Sequence, residues 1–174
     1  VVEIRESAYR GSDASFYRLH LGLFPRPLAA WPPGGPAGGS LEVTLLGDPS
    51  GEIRKTLEIP KAPGPSFGIW AQDERGIAPS AVPFRAGPFP NALEAEPDDG
   101  PEQATVAGEG QALCGIIGRP GDADLFRVPL KKGQTFDVNV HPGRLRSPLD
   151  PVLTILDGKG AALASNDDAA GPDS

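Results

Sequence analysis

Short runs of alternating apolar and polar residues, each closed by a cluster of Gly, Pro, Asn or Asp, recur along the whole chain. Leu41, Val43 and Leu45 alternate with Glu42 and Thr44 ahead of the turn Gly47-Asp48-Pro49-Ser50-Gly51, and Tyr17, Leu19 and Leu21 alternate with Arg18, His20 and Gly22. A period of two with one wet face predicts strands. By this criterion strands are expected over residues 1–4, 16–23, 41–45, 53–59, 67–71 and 82–85, then over 113–117, 125–130, 136–140 and 152–156. Pro120-Gly121-Asp122, Lys131-Lys132-Gly133-Gln134 and Asp157-Gly158-Lys159-Gly160 supply the residue types that tight turns require. No segment carries a sustained i, i+3, i+4, i+7 apolar stripe. Helix-rich folds, coiled coils and doubly wound α/β sheets are thereby excluded, and an all-β sandwich architecture is expected.

Composition sharpens this picture. The 174 residues include 23 Gly and 21 Pro, close to the level of low-complexity chains, but 39% are hydrophobic and fall in the alternating runs. The Gly and Pro residues therefore read as turns and joints. Five prolines and four glycines between residues 25 and 40 make a connector, and the acidic, proline-punctuated stretch 88–101 makes a second. Three parts are expected: residues 1–24 as closing strands of a preceding β-sandwich, residues 25–90 as an Ig-like β module, and residues 91–174 as a second β-sandwich with strands missing at its end. With no start methionine and no leader, the chain reads as a piece of a longer protein.

The net charge is −7. Residues 1–90 carry nine acidic and nine basic residues, whereas residues 91–174 carry fourteen and seven, so the whole excess belongs to the second half. An acidic chain without a basic, aromatic-interleaved patch is a poor partner for nucleic acid, and no run of about 18 apolar residues is present to cross a membrane. The single cysteine, Cys114, allows no intrachain disulfide and reads as a small buried hydrophobe.

The order of motifs in the second half brings a family into view. Leu93-Glu94-Ala95-Glu96-Pro97-Asp98-Asp99, Gly115-Ile116-Ile117, Pro120-Gly121-Asp122-Ala123-Asp124-Leu125-Phe126-Arg127-Val128, Lys132-Gly133-Gln134, Ser147-Pro148-Leu149-Asp150-Pro151-Val152-Leu153 and Asn166-Asp167-Asp168 together resemble the bacterial pre-peptidase C-terminal domain. The resemblance spans about residues 91–174. It implies a jelly-roll-like β-sandwich attached to secreted peptidases and to large planctomycete-type surface or periplasmic proteins. Residues 1–24 then look like the end of a preceding copy, with the Ig-like module inserted between copies.

Glu94, Glu96, Asp98 and Asp99 place four carboxylates within six residues, and an extended backbone puts the first three on one side. Like charges this close repel unless a cation neutralises them. A hard, all-oxygen set suits calcium better than zinc. The resemblance extends the set: in collagenase members of the family a Glu-x-Glu-x-Asn-Asp linker and an acidic turn bind calcium, which implies Glu94, Glu96, Asp98, Asp99, Asp122 and Asp124 as ligands here. The rival reading is a solubilising linker and a turn built by Asp122 and Asp124. A second acidic group, Asp157, Asn166, Asp167, Asp168 and Asp173, reads as turn-building.

Catalytic signatures are weak. Gly64-Pro65-Ser66-Phe67-Gly68 matches the nucleophile-elbow pattern, but the surrounding prolines exclude the strand-to-helix setting that Ser66 would need. His20 and His141 have no partner at metal or triad spacing. The expected role is therefore a non-catalytic binding or spacer region of an extracellular, cell-surface or periplasmic multidomain protein, calcium-stabilised at its inter-module linker, whose partners are neighbouring domains and matrix protein or polysaccharide. Two alternatives stand beside it. One is the accessory region of a secreted peptidase, and the other is a carbohydrate-binding module using Trp31 and Trp70.

Overall fold

A computed structural model of the chain describes residues 1–64 and 67–167. Fifteen short strands and one 3-10 turn make up its regular structure among these residues. Strands β1 (Ala29–Trp31), β3 (Ser40–Leu46) and β4 (Ile53–Glu58) form an antiparallel sheet in the order β1-β3-β4. The β3 alternation decides which side faces inward: Val43 and Leu45 are buried, and Leu45 is 0% exposed. Between β3 and β4, Gly47 and Gly51 take positive φ of 83° and 106°, which only glycine adopts without penalty.

Around this sheet lie β2 (Gly34–Pro36) paired in parallel with β9 (Arg85–Gly87), β5 (Gly68–Ile69) paired with β8 (Val82–Pro83), and the hairpin of β6 (Gln72–Asp73) and β7 (Gly76–Ile77). Their inward residues Ile69, Ala71, Ala78, Val82 and Phe84 close on Val43, Leu45 and Ile59 as one hydrophobic core. The Phe67 ring meets the Phe84 ring edge to face at 6.0 Å. Every residue of this core cluster falls between positions 30 and 86.

One carboxylate fastens the edges of this core. Asp48 has a fully buried side chain, and it accepts hydrogen bonds from the Arg26 amide (2.5 Å), the Ser50 amide (2.8 Å) and the Arg75 guanidinium (2.9 Å). Arg75 also pairs with Asp73 at 2.5 Å and donates to Ser50 Oγ at 2.6 Å. The connector, the β3–β4 turn and the β6–β7 hairpin thus converge on one group. The Arg26 and Ser50 amides, followed by Arg75, hold the Asp48 carboxyl down at about 2.

The second half is organised differently. Strand β10 (Asn91–Leu93) runs parallel to β12 (Ala112–Cys114), and β11 (Thr105–Val106) runs parallel to β13 (Phe126–Arg127). Strands β14 (Leu153–Leu156) and β15 (Ala162–Asn166) form an antiparallel hairpin with a bulge after Ile155. The acidic connector is therefore not free chain: β10 begins inside it, and Asn91 Nδ2 donates to the Gly34 carbonyl at 2.7 Å, joining it to the first sheet system.

The all-β expectation holds, but three expected strands are absent. Residues 1–4 and 16–23 form no strand and every side chain from 1 to 23 is exposed, including Phe16, Tyr17, Leu19 and Leu21. A lone β-prone segment gains nothing from extension unless a sheet accepts its hydrogen bonds. Residues 136–140 likewise stay irregular, with Phe136 and Val138 exposed. Among the described residues no helix is long and apolar enough to cross a membrane.

Two outcomes test this account. Leu45→Ala is expected to lower the unfolding free energy by about 3 kcal/mol in urea denaturation, as for other fully buried leucines. Asp48→Asn is expected to be less stable than the parent at neutral pH. Because the folded-state pKa of Asp48 lies below its ordinary 3.8, the stabilisation is complete above that value and disappears as pH falls through about 2. Denaturation of both proteins across acid pH should show their difference shrinking in that window, and a difference that stays constant down to its floor would refute the assignment.

Candidate metal centre

The acidic connector is folded around one threonine. The Thr105 hydroxyl accepts from the Ala95 amide at 2.8 Å and donates to Asp98 Oδ2 at 3.0 Å, so the residue at the start of β11 fixes the backbone and draws Asp98 inward. Asp98 is 1% exposed. Its other oxygen, Oδ1, is buried with no hydrogen-bond partner, and so is Oδ1 of Asp124 just before β13. Carboxylate oxygens of Glu96, Asp98 and Asp124 all lie within 4.8 Å of one another.

Glu94 borders this group. Its Oε2 accepts from the Ile116 amide at 2.8 Å, and its side chain shares a hydrogen bond with Asp124. Burial first, then the charge of Glu94 and that shared hydrogen bond, then the charges of Asp98 and Asp122, push the Asp124 carboxyl up to about 7. Packing of this density requires a glycine beneath it. A Cβ at Gly115 would come within 1.9 Å of Asp124 Oδ2 and 2.7 Å of Glu94 Oε2.

The six acidic residues singled out in the sequence are thus divided in space. Glu96, Asp98 and Asp124 converge, and Glu94 joins them through Asp124. Asp99 and Asp122 are instead taken up by Arg119, at 2.5 Å and 2.7 Å, with Asp122 also accepting from the Gly118 amide at 2.6 Å and Asp99 from the Ala123 amide at 3.3 Å. Those two carboxylates build and tether the turn that presents Asp124. Thr105, Gly115 and Arg119 escape a reading of the sequence because their roles depend on tertiary approach. Only the Arg119–Asp122 spacing of three residues is a local signal.

The converging set fits a hard divalent cation. It offers only carboxylate oxygens, includes two buried oxygens with no donor, and contains no His or Cys. Glu96, Asp98 and Asp124 would hold the ion, with Glu94 alongside. An ion there would supply the positive charge that the buried oxygens otherwise lack.

The remaining candidates fall elsewhere. Asp157 accepts from the Lys159 and Ala161 amides at 2.8 and 2.9 Å, and these contacts lower its pKa as expected of a turn-building group. Asn166 closes β15, while Asp168 and Asp173 lie outside the described residues, as does Ser66. His20 is exposed on the N-terminal segment, and His141 is half-buried before the 3-10 turn. Cys114 is buried within β12, and burial together with the Glu94 charge pushes its thiol up to about 11, which leaves it unreactive.

Comparison with known proteins yields one informative relative. The chain is 37% identical over 82 residues to a probable subtilase-type serine protease of Deinococcus radiodurans, a match covering 45% of this chain. It spans only 11% of that protease's length. No family model and no solved structure matches the chain.

Gly115→Ala is expected to lower the unfolding free energy by about 1–3 kcal/mol, because Asp124 or Glu94 must give way. Gly158→Ala, where a Cβ meets nothing within 4 Å, should stay within about 0.5 kcal/mol of the parent. Equal effects in chemical denaturation would contradict the close approach at Gly115.

Proposed function

We propose that the chain is a non-catalytic binding and spacing region of a secreted or cell-envelope multidomain protein, stiffened by calcium at the joint between an Ig-like module (residues 25–90) and a pre-peptidase C-terminal-like module (residues 91–174). The observation that carries the reading is Asp98, a buried carboxylate with one oxygen unanswered and two further carboxylates turned toward the same point. Leaving a buried carboxylate charge uncompensated costs several kcal/mol, and among the described residues no ion pair reaches Asp98. A divalent ion offsets that cost and the entropy of ordering the acidic connector. Because β10 and β12 lead into Glu94 and Gly115, the ion would lock the connector against the sheet that it has just entered.

The similarity to part of a subtilase-type protease favours one second reading in particular: the parent protein is a secreted peptidase and this stretch its accessory region. The two readings share the calcium joint and differ only in what the neighbouring domain does. Expression of the adjoining domains with and without residues 1–174, assayed on a protein substrate, separates them.

Calorimetric titration with calcium is expected to show a single binding event, and thermal melting at about a hundredfold excess over Kd should shift Tm upward by roughly 5–10 °C, equivalent to about 2.7 kcal/mol. Asp98→Asn keeps an acceptor for Thr105 but removes the charge. It should abolish both signals while leaving the calcium-free Tm unchanged or higher. Absence of heat and of any Tm shift at millimolar calcium would overturn the proposal.

A further inference from the structure

Away from the acidic joint, the face formed by β5, β8 and the 3-10 turn Gly143–Leu145 encloses an open groove of about 840 Å³. Its lining includes Trp70, Arg85, Arg144 and Arg146, and it contains no carboxylate among the described residues. In a chain of net charge −7 that absence is local and specific. Two of the seven basic residues in the acidic half, Arg144 and Arg146, converge here on an arginine from the neutral half.

The groove is also held in shape. Arg146 adopts φ 60°, a left-handed conformation that costs a non-glycine residue energy, and its amide closes the 3-10 turn on the Gly143 carbonyl at 3.0 Å. Its guanidinium reaches across to the Ala81 carbonyl at 3.2 Å, so it bridges the groove while its charge meets no acidic partner in the lining. Trp70 is 53% exposed. Its backbone is pinned by Lys55 Nζ on its carbonyl at 3.3 Å, and buried Phe84 with Phe67 forms the floor.

We infer that this groove binds a carboxylate-bearing polysaccharide, a polyuronate, by stacking a sugar ring on Trp70 and pairing sugar carboxylates with Arg85 and Arg146. The apolar face of a pyranose suits a single exposed indole, and a planar guanidinium matches a carboxylate in two parallel hydrogen bonds. A neutral sugar would leave the guanidinium charges unused. A single-stranded nucleic acid needs successive aromatic platforms, whereas Trp70 is the exposed ring of this lining, and an inorganic polyphosphate has no apolar ring face for Trp70 to stack on.

The test is calorimetric titration of the 174-residue protein with polygalacturonate in the presence of chelator, which keeps the outcome independent of the calcium joint. Binding is expected, weakening as salt is raised. Trp70→Ala and Arg146→Gly should each weaken it by about tenfold or more. Glycine relieves the left-handed strain at position 146, which offsets loss of the contact to the Ala81 carbonyl, and Arg85→Gln removes a charge from the lining with that contact intact and should weaken binding similarly. Thermal melting confirms that the variants are folded. Absence of polygalacturonate binding, equal binding of neutral dextran, or equal binding of polyglutamate or a DNA oligonucleotide unaffected by Trp70→Ala would each overturn the inference.

Discussion

A carboxylate taken out of water must be answered by donors or by a cation, and this requirement organises the chain. Asp48 and Asp98 are both buried, yet they are answered differently. Asp48 receives two backbone amides and a guanidinium, so its charge is compensated where it sits and ties three loops to one core. Asp98 receives one hydroxyl, its other oxygen has no donor, and its carboxylate lies within 4.8 Å of those of Glu96 and Asp124. The same residue type therefore closes a structure in one place and leaves a demand in the other.

That contrast follows the distribution of apolar burial. The core cluster is confined to residues 30–86, where alternating strands and the Phe67–Phe84 contact supply a continuous interior. Beyond residue 90 the described strands pair only two by two, and large side chains such as Val106, Leu130, Val152 and Leu163 remain exposed. Two-stranded pairings are marginal in water by themselves. What distinguishes the segment 91–127 is that its two parallel pairings, β10 with β12 and β11 with β13, bring Glu94, Thr105, Gly115 and Asp124 to one place. The local order there is spent on the acidic cluster rather than on a hydrophobic interior.

The sequence makes one class of element legible and hides another. β3 and β4 follow from alternation closed by Gly47 to Gly51, since period and turn chemistry agree. Residues 16–23 carry the same alternation and form nothing, because a pattern specifies a face to bury and not the partner that buries it. β10 and β11 are hidden for the opposite reason. They are short and paired in parallel, and β10 follows directly on Pro90, so no hairpin turn announces them. At the site, the residue types and their crowding are visible in the chain, as is the suitability of an oxygen-only set for a hard cation. The division of labour is not visible: Asp99 is claimed by Arg119 from twenty residues away, and Gly115 matters only because two side chains from other segments pass over it.

The fate of the arginines explains why the imbalance at Asp98 is not corrected from within. Arg119 lies near enough for Glu96 to add to the rise in its pKa, but Asp99 and Asp122 occupy its guanidinium. Arg127 donates to the Pro101 carbonyl, and Arg144 and Arg146 turn to the groove beside Trp70. These four arginines are thus committed to shaping a turn, a backbone or the opposite face. Swinging Arg119 into the cluster would release Asp99 and Asp122 and with them the turn that presents Asp124, exchanging one set of uncompensated carboxylates for another. A small external cation can satisfy Glu96, Asp98 and Asp124 without dismantling any of these contacts, and for this architecture that makes a bound ion the cheaper route to charge balance than a rearranged side chain.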